Sequence, residues 1–138
     1  MPLVLYIRNQ NPTPMLAGLG TDIIEVERIA AKIIKESGFR ELVFSENEIA
    51  YCESKTGKFE HYAARFAAKE AFFKALGTGW LEGTYFNEIE IVHDSYGKPE
   101  IVLLGQTQKT LSAWGINKIL VSLSHVKTMA TAVVIIEK

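Results

Sequence analysis

The stretch Arg65-Phe66-Ala67-Ala68-Lys69-Glu70-Ala71-Phe72-Phe73-Lys74-Ala75-Leu76-Gly77-Thr78-Gly79 decides how this chain is read. Up to Leu76 it predicts one helix, running from about Glu60. Alanine and leucine are strong helix formers, and neither proline nor glycine intervenes before Gly77. Phe66 and Phe73 are seven apart and Ala67 and Ala71 four apart, the spacing of a core-facing stripe. Arg65 and Lys69, like Glu70 and Lys74, are four apart and share a side of the helix. Gly77 is placed to end it in the left-handed conformation, and Thr78-Gly79 leads into a loop without bulk, where backbone N–H groups approach an anion. Taken alone, such charge pairs are ordinary solvated faces worth about 0.2–0.5 kcal/mol each.

The 138 residues make a one-domain chain, 48% hydrophobic and 22% charged, as a folded protein is. The net charge of −1 gives no global electrostatic case for nucleic acid, so a charged partner has to be met by a local patch. One cysteine, Cys52, cannot staple the fold and lacks the spacing of a zinc site. No apolar run reaches the ~18 residues of a membrane span, and the first 15 residues lack a signal-peptide pattern. The expectation is a cytoplasmic protein with no membrane partner.

Residues 1–14, with Pro12 and Pro14, read as a leader or appended extension before Met15, with a short strand at Leu3–Ile7; residues 15–138 read as the domain. A short strand ends near Asp22 to Ile24, and Gly18 and Gly20 leave room for close backbone contact. A helix from Val26 to Ser37 buries Ile29 and Ile33, with Ala30 and Ile34 beside them. Its other side carries Arg28, Lys32 and Lys35, either a solubilising face or a docking strip for an acidic partner. Ser45-Glu46-Asn47-Glu48 is a capping box opening a helix to Glu53. Strands follow at Tyr85–His93 and Glu100–Leu104, a helix at Gly105–Trp114, and an antiparallel pair at Lys118–His125 and Thr128–Ile136. The order β-α-α-α-β-β-α-β-β, helices early and antiparallel strands late, is α+β.

Asp22 at a strand end and Glu70 among small alanines are candidates for one site. Two carboxylates held together need a proton or a cation between them, and magnesium takes one or two carboxylates plus water and phosphate oxygens. Lys74, one turn beyond Glu70, then reaches a phosphate oxygen, with Arg65 and Lys69 adding positive charge. Such a set suits a pyrophosphate substrate. Asp22 alone is equally a helix-preceding cap, and Ser124-His125 alone is a strand end.

Gly18-Leu19-Gly20-Thr21-Asp22 with Arg28, then Phe66 to Gly79, then Gly97-Lys98-Pro99, then Ser122-Leu123-Ser124-His125 resemble the holo-[acyl-carrier-protein] synthases, the small trimeric 4′-phosphopantetheinyl transferases. The resemblance covers about Met15 to Lys138. It implies the phosphopantetheinyl transferase fold and transfer of 4′-phosphopantetheine from coenzyme A to a serine of apo acyl carrier protein, releasing adenosine 3′,5′-bisphosphate. By that resemblance Asp22 and Glu70 hold Mg2+, and Asp22, Glu70 and Lys74 are catalytic. Lys74, Gly77, Thr78, Gly79, Ser124 and His125 contact coenzyme A, to which the charge of Arg65 and Lys69 adds cofactor contacts, and Arg28, Lys32 and Lys35 grip the carrier. The serine proton goes to Glu70 or to a water on the metal. A homotrimer shares its active sites between subunits. Two other readings stand beside this one: a non-catalytic coenzyme A-binding module, and a structural oligomer whose charges are surface pairs.

Overall fold

The computed structural model describes residues 15–138. The Leu3–Ile7 strand and the leader reading of residues 1–14 lie outside the described residues. The chain runs β1 (Leu16–Glu25), α1 (Val26–Ile34), α2 (Phe39–Val43), α3 (Glu46–Glu53), α4 (Lys58–Leu76), β2 (Ile89–His93), β3 (Pro99–Leu103), α5 (Gly105–Leu111), β4 (Lys118–His125) and β5 (Met129–Glu137). This is the expected α+β order with one more helix. That helix, α2, has five residues and is entered through Gly38 at φ 93°. It is too short for a hydrophobic period to show.

Three further expectations are corrected. α1 stops at Ile34 rather than Ser37, and Ile34 is 66% exposed rather than buried. Tyr85 is not in a strand. The segment Phe86–Glu88 is a 3-10 turn, because the Glu88 carboxylate turns to the start of α5 and accepts from the backbone N–H of Gln106 and Thr107 and from the Thr107 hydroxyl. After Leu111 the chain tightens into a second 3-10 turn at Ser112–Trp114. The capping box is present as read: the Ser45 side chain accepts from the Glu48 N–H while Glu48 accepts from the Ser45 N–H.

β5 lies between β1 and β4, antiparallel to both, and β2–β3 forms a separate hairpin. Alternation along β5 sends Ala130, Ala132, Val134 and Ile136 to one buried face. α4 packs there, and it is buried nearly all round rather than on one stripe: Tyr62, Ala63, Ala67, Ala68, Ala71, Phe72 and Phe73 are all at most 1% exposed. Gly18 and Gly20 explain how close it comes. A Cβ on Gly20 would sit 1.9 Å from the Ala71 carbonyl oxygen, and one on Gly18 would sit 1.8 Å from that of Ala75. The strand lies directly on the helix backbone. The opposite sheet face presents Leu19, Ile23 and Val133 at 68%, 62% and 40% exposure.

Gly20→Ala forces strand and helix apart, because the obstruction is backbone that no rotamer change relieves. The expected cost is at or above the upper end of about 1–3 kcal/mol for overpacking, read as a fall in the urea midpoint at unchanged m-value.

Candidate active site

Asp22 lies two residues beyond Gly20, on the same face of β1, so the strand's pleat aims it at α4. Glu70 immediately precedes Ala71, the residue whose carbonyl lies under Gly20. The glycine contact therefore brings the two carboxylates to one place. Lys74 reaches back across the gap: its Nζ donates to Asp22 Oδ1 and to the Thr21 carbonyl, each at 3.0 Å. The ordinary Glu70–Lys74 surface pair is not among the ion pairs of the described residues; the lysine goes to the strand instead. Burial, and next the charge of Asp22, push the Glu70 carboxyl above its ordinary range, against the pull of Lys74 and Lys32.

This donor set fits a hard divalent cation that brings most of its own shell. Among the described residues no group of three His, Cys, Asp or Glu side chains is arranged to hold a metal. A cation between Asp22 and Glu70 would complete its coordination with water and phosphate oxygens, as magnesium does.

Lys69 is corrected. It was expected to add charge for an anion, but its side chain is 0% exposed. Its ammonium donates to Glu48 Oε1 at 2.7 Å, to the Phe86 carbonyl at 2.8 Å and to the Ile89 carbonyl. All three of its donors are spent, which leaves none for a ligand. Glu48 also accepts from the Ile91 N–H at 3.0 Å, so one carboxylate joins the α3 cap, α4 and β2. Cys52, in the same interior, is 0% exposed, and burial raises its thiol to about 12.

Arg65 and His125 do come together, at a second place. They line a cavity of about 200 Å³ with Tyr51, His61, His93, Gly97 and Pro99. The Arg65 guanidinium lies over the Tyr51 ring, 4.2 Å from its centroid, and His125 Nδ1 is 3.0 Å from Glu60 Oε1. Asp94 shapes the neighbouring turn by accepting from the Tyr96 and Lys98 N–H groups. Ser124 faces away: alternation along β4 puts it on the open sheet face while His125 enters the cavity. Gly77 and Gly79 take positive φ of 83° and 65° around an exposed Thr78, and nothing crowds either glycine. Arg28, Lys32 and Lys35 are exposed along α1.

Sequence reasoning missed Tyr51, His61 and His93. The available signal was that the chain holds only three histidines, each at an element's end or first turn. Only the packing of α3, α4, β2 and β4 unites them.

The profile described as "4'-phosphopantetheinyl transferase superfamily" matches residues 18–130. A holo-[acyl-carrier-protein] synthase of Ruminiclostridium cellulolyticum is 52% identical over 121 residues, covering 86% of this chain and 90% of that protein. The crystal structure of the Neisseria meningitidis holo-[acyl-carrier-protein] synthase superposes with a TM-score of 0.83 at 35% identity, over 90% of this chain and all of that one. A Bacillus anthracis holo-(acyl-carrier-protein) synthase, solved in complex with CoA (3′,5′-ADP), superposes at 0.74 with 36% identity over 90% of this chain and 98% of that one. The chain therefore belongs to the 4′-phosphopantetheinyl transferase superfamily and, within it, to the holo-[acyl-carrier-protein] synthase family of enzymes.

Lys69→Met leaves Glu48 as a buried, unpaired carboxylate. Breaking such a pair costs about 3–5 kcal/mol, so the expected outcome is a large loss in chemical-denaturation stability. A loss below 1 kcal/mol, with nucleotide affinity reduced instead, would return Lys69 to the site.

Proposed function

We propose that this enzyme transfers 4′-phosphopantetheine from coenzyme A to a serine of apo acyl carrier protein, giving holo carrier and adenosine 3′,5′-bisphosphate. The observation that carries this reading is the convergence of Asp22, Glu70 and Lys74 on the gap between β1 and α4. The related B. anthracis enzyme, solved with CoA, supports the choice of donor.

In this reading Asp22 and Glu70 hold Mg2+, which when bound supplies positive charge to the coenzyme A diphosphate. Lys74, half exposed and on a long flexible stem, exchanges Asp22 for a phosphate oxygen and stabilises charge on the departing nucleotide phosphate. The carrier serine oxygen forms a bond to the pantetheine-side phosphorus as the diphosphate bridge breaks. The serine proton passes to a Glu70 carboxylate oxygen. The Gly77-Thr78-Gly79 loop offers backbone N–H groups to the phosphates.

Arg65 and Glu70 are five residues apart, roughly 140° around α4 by helix geometry. Glu70 faces β1, whereas Arg65 faces the β2–β4 side, so the nucleotide contacts and the carboxylate pair open on different sides of one chain. We therefore assign the nucleotide end of a given coenzyme A to Arg65 and His125 of a neighbouring subunit. The exposed apolar sheet face of Leu19, Ile23 and Val133 supports self-association as a homotrimer. Ser124, on that open face, belongs with the subunit contact in this arrangement. Arg28, Lys32 and Lys35 form the strip that meets the acidic carrier. Lys32 is close enough to Glu70 to act on its charge, so the strip borders the reactive gap. No described helix is long and apolar enough to cross a membrane, and we place the reaction in the cytoplasm, where coenzyme A and the carrier meet.

A mass-shift assay with coenzyme A, magnesium and apo carrier protein tests the function. Wild type adds phosphopantetheine, and Asp22→Ala and Glu70→Ala each abolish transfer while the fold survives; near wild-type turnover in either variant refutes the carboxylate pair. Reversing Arg28 and Lys32 to Glu weakens carrier binding by at least tenfold more than coenzyme A binding, on the scale of one charge pair turned repulsive. Equal losses for the two ligands, measured by titration, exclude the docking strip.

A further inference from the structure

The gap between β1 and α4 already holds a cation of the chain's own. Lys74 Nζ donates to Asp22 Oδ1 and to the Thr21 carbonyl, each at 3.0 Å. Both acceptors are hard oxygens, the donor type that a divalent cation takes. The two partners differ in exposure: the Asp22 side chain is 16% exposed and that of Lys74 is 54%. Glu70, one turn before Lys74 on the same helix, is in no ion pair among the described residues. One carboxylate of the pair is therefore closed by the lysine, and the other is left open.

An ammonium and a divalent cation on one carboxylate repel each other, and water screens that repulsion less beside a side chain as enclosed as Asp22. A cation seated at Asp22 and Glu70 thus has to work against Lys74. The lysine is free to leave, because more than half of its side chain is in solvent and its four-carbon stem is flexible. Lys69 is the contrast: it is enclosed, and all three of its donors are held. A phosphate oxygen at the gap gives the Lys74 ammonium a charged acceptor of its own. Its departure releases Asp22 Oδ1 and the Thr21 carbonyl together.

We propose that Lys74 is a latch on the carboxylate pair: it competes with the divalent cation for Asp22, and the coenzyme A diphosphate draws it away. The cation alone then binds weakly, and coenzyme A and the cation each raise the other's affinity by the same factor. Part of that coupling runs through a side chain of the protein, in addition to any direct contact between the two ligands. This rests on the coenzyme A reading given above.

Mn2+ shares the preference for carboxylate, carbonyl and water oxygens and is paramagnetic, so titration into the whole chain, with the unbound ion counted by electron spin resonance, reads its Kd directly. The titration is made with and without saturating coenzyme A, against a blank of coenzyme A alone. Wild type is expected to hold Mn2+ about tenfold more tightly when coenzyme A is present, within the usual range of coupling between sites. In Lys74→Met the Mn2+ Kd of the free protein falls by about the same factor, and that of the coenzyme A complex changes much less. Removing a nearby positive charge without a latch tightens both states alike, so equal tightening overturns the inference, and so does an unchanged Kd in the free variant. The wild-type pair of titrations decides even where the variant folds poorly. A wild-type protein that binds Mn2+ equally well with and without coenzyme A, yet modifies the carrier, overturns this inference alone; one that does not bind coenzyme A overturns the coenzyme A reading with it.

Discussion

The carbonyl oxygens of Ala71 and Ala75 lie where side chains on Gly20 and Gly18 would be. This backbone-on-backbone contact fixes the distance, rotation and stagger of β1 on α4 together. A strand rises about 3.3 Å per residue and a helix about 1.5 Å, so two strand residues span about four helix residues. Gly18 to Gly20 matches Ala75 to Ala71, and the next step of the same ladder carries Asp22 toward Ala67, past the turn of α4 that bears Glu70. The gap between Asp22 and Glu70 is therefore a consequence of packing geometry rather than of loop placement. Rigid elements hold both carboxylates, which suits a site that depends on alignment.

Two lysines five residues apart on α4 show how position decides chemistry. Lys69 faces the interior and is consumed by Glu48 and two carbonyls. Lys74 faces the strand edge, is half exposed, and makes contacts it can exchange. The same ammonium group is a structural rivet at one position and a mobile charge at the other. Arg65 differs again: it is buried like Lys69 but lacks a carboxylate, which leaves a positive cavity rather than a closed pair.

Much of this was legible in the sequence, for local reasons. The α3 cap, the left-handed Gly77, the span Lys118–His125 and the value of Gly18 and Gly20 all follow from backbone rules acting over a few residues. The Asp22–Glu70–Lys74 convergence was readable from motif order, because strand pleat and helix turn carry those side chains predictably. What escaped depends on tertiary context. Spacing aligned Lys69 with Arg65, yet its partner Glu48 is 21 residues away in the chain. Ser124 and His125 read as one unit but alternate across the sheet. The histidine cavity draws on four elements, and no local pattern announces it. α2 is too short to carry a period, and the Phe86–Glu88 turn exists because Glu88 is claimed by α5.

The enclosure of Cys52 has a chemical consequence. The proposed donor ends in a free thiol, and the product carries that same thiol on the carrier. A protein handling such molecules invites mixed disulfides wherever it exposes a thiolate. Here the single thiol of the chain sits behind Tyr62 and Phe44, without solvent contact and with its proton firmly held. The catalyst is thereby inert toward exchange with its own substrate, and turnover needs no reductant to keep it so.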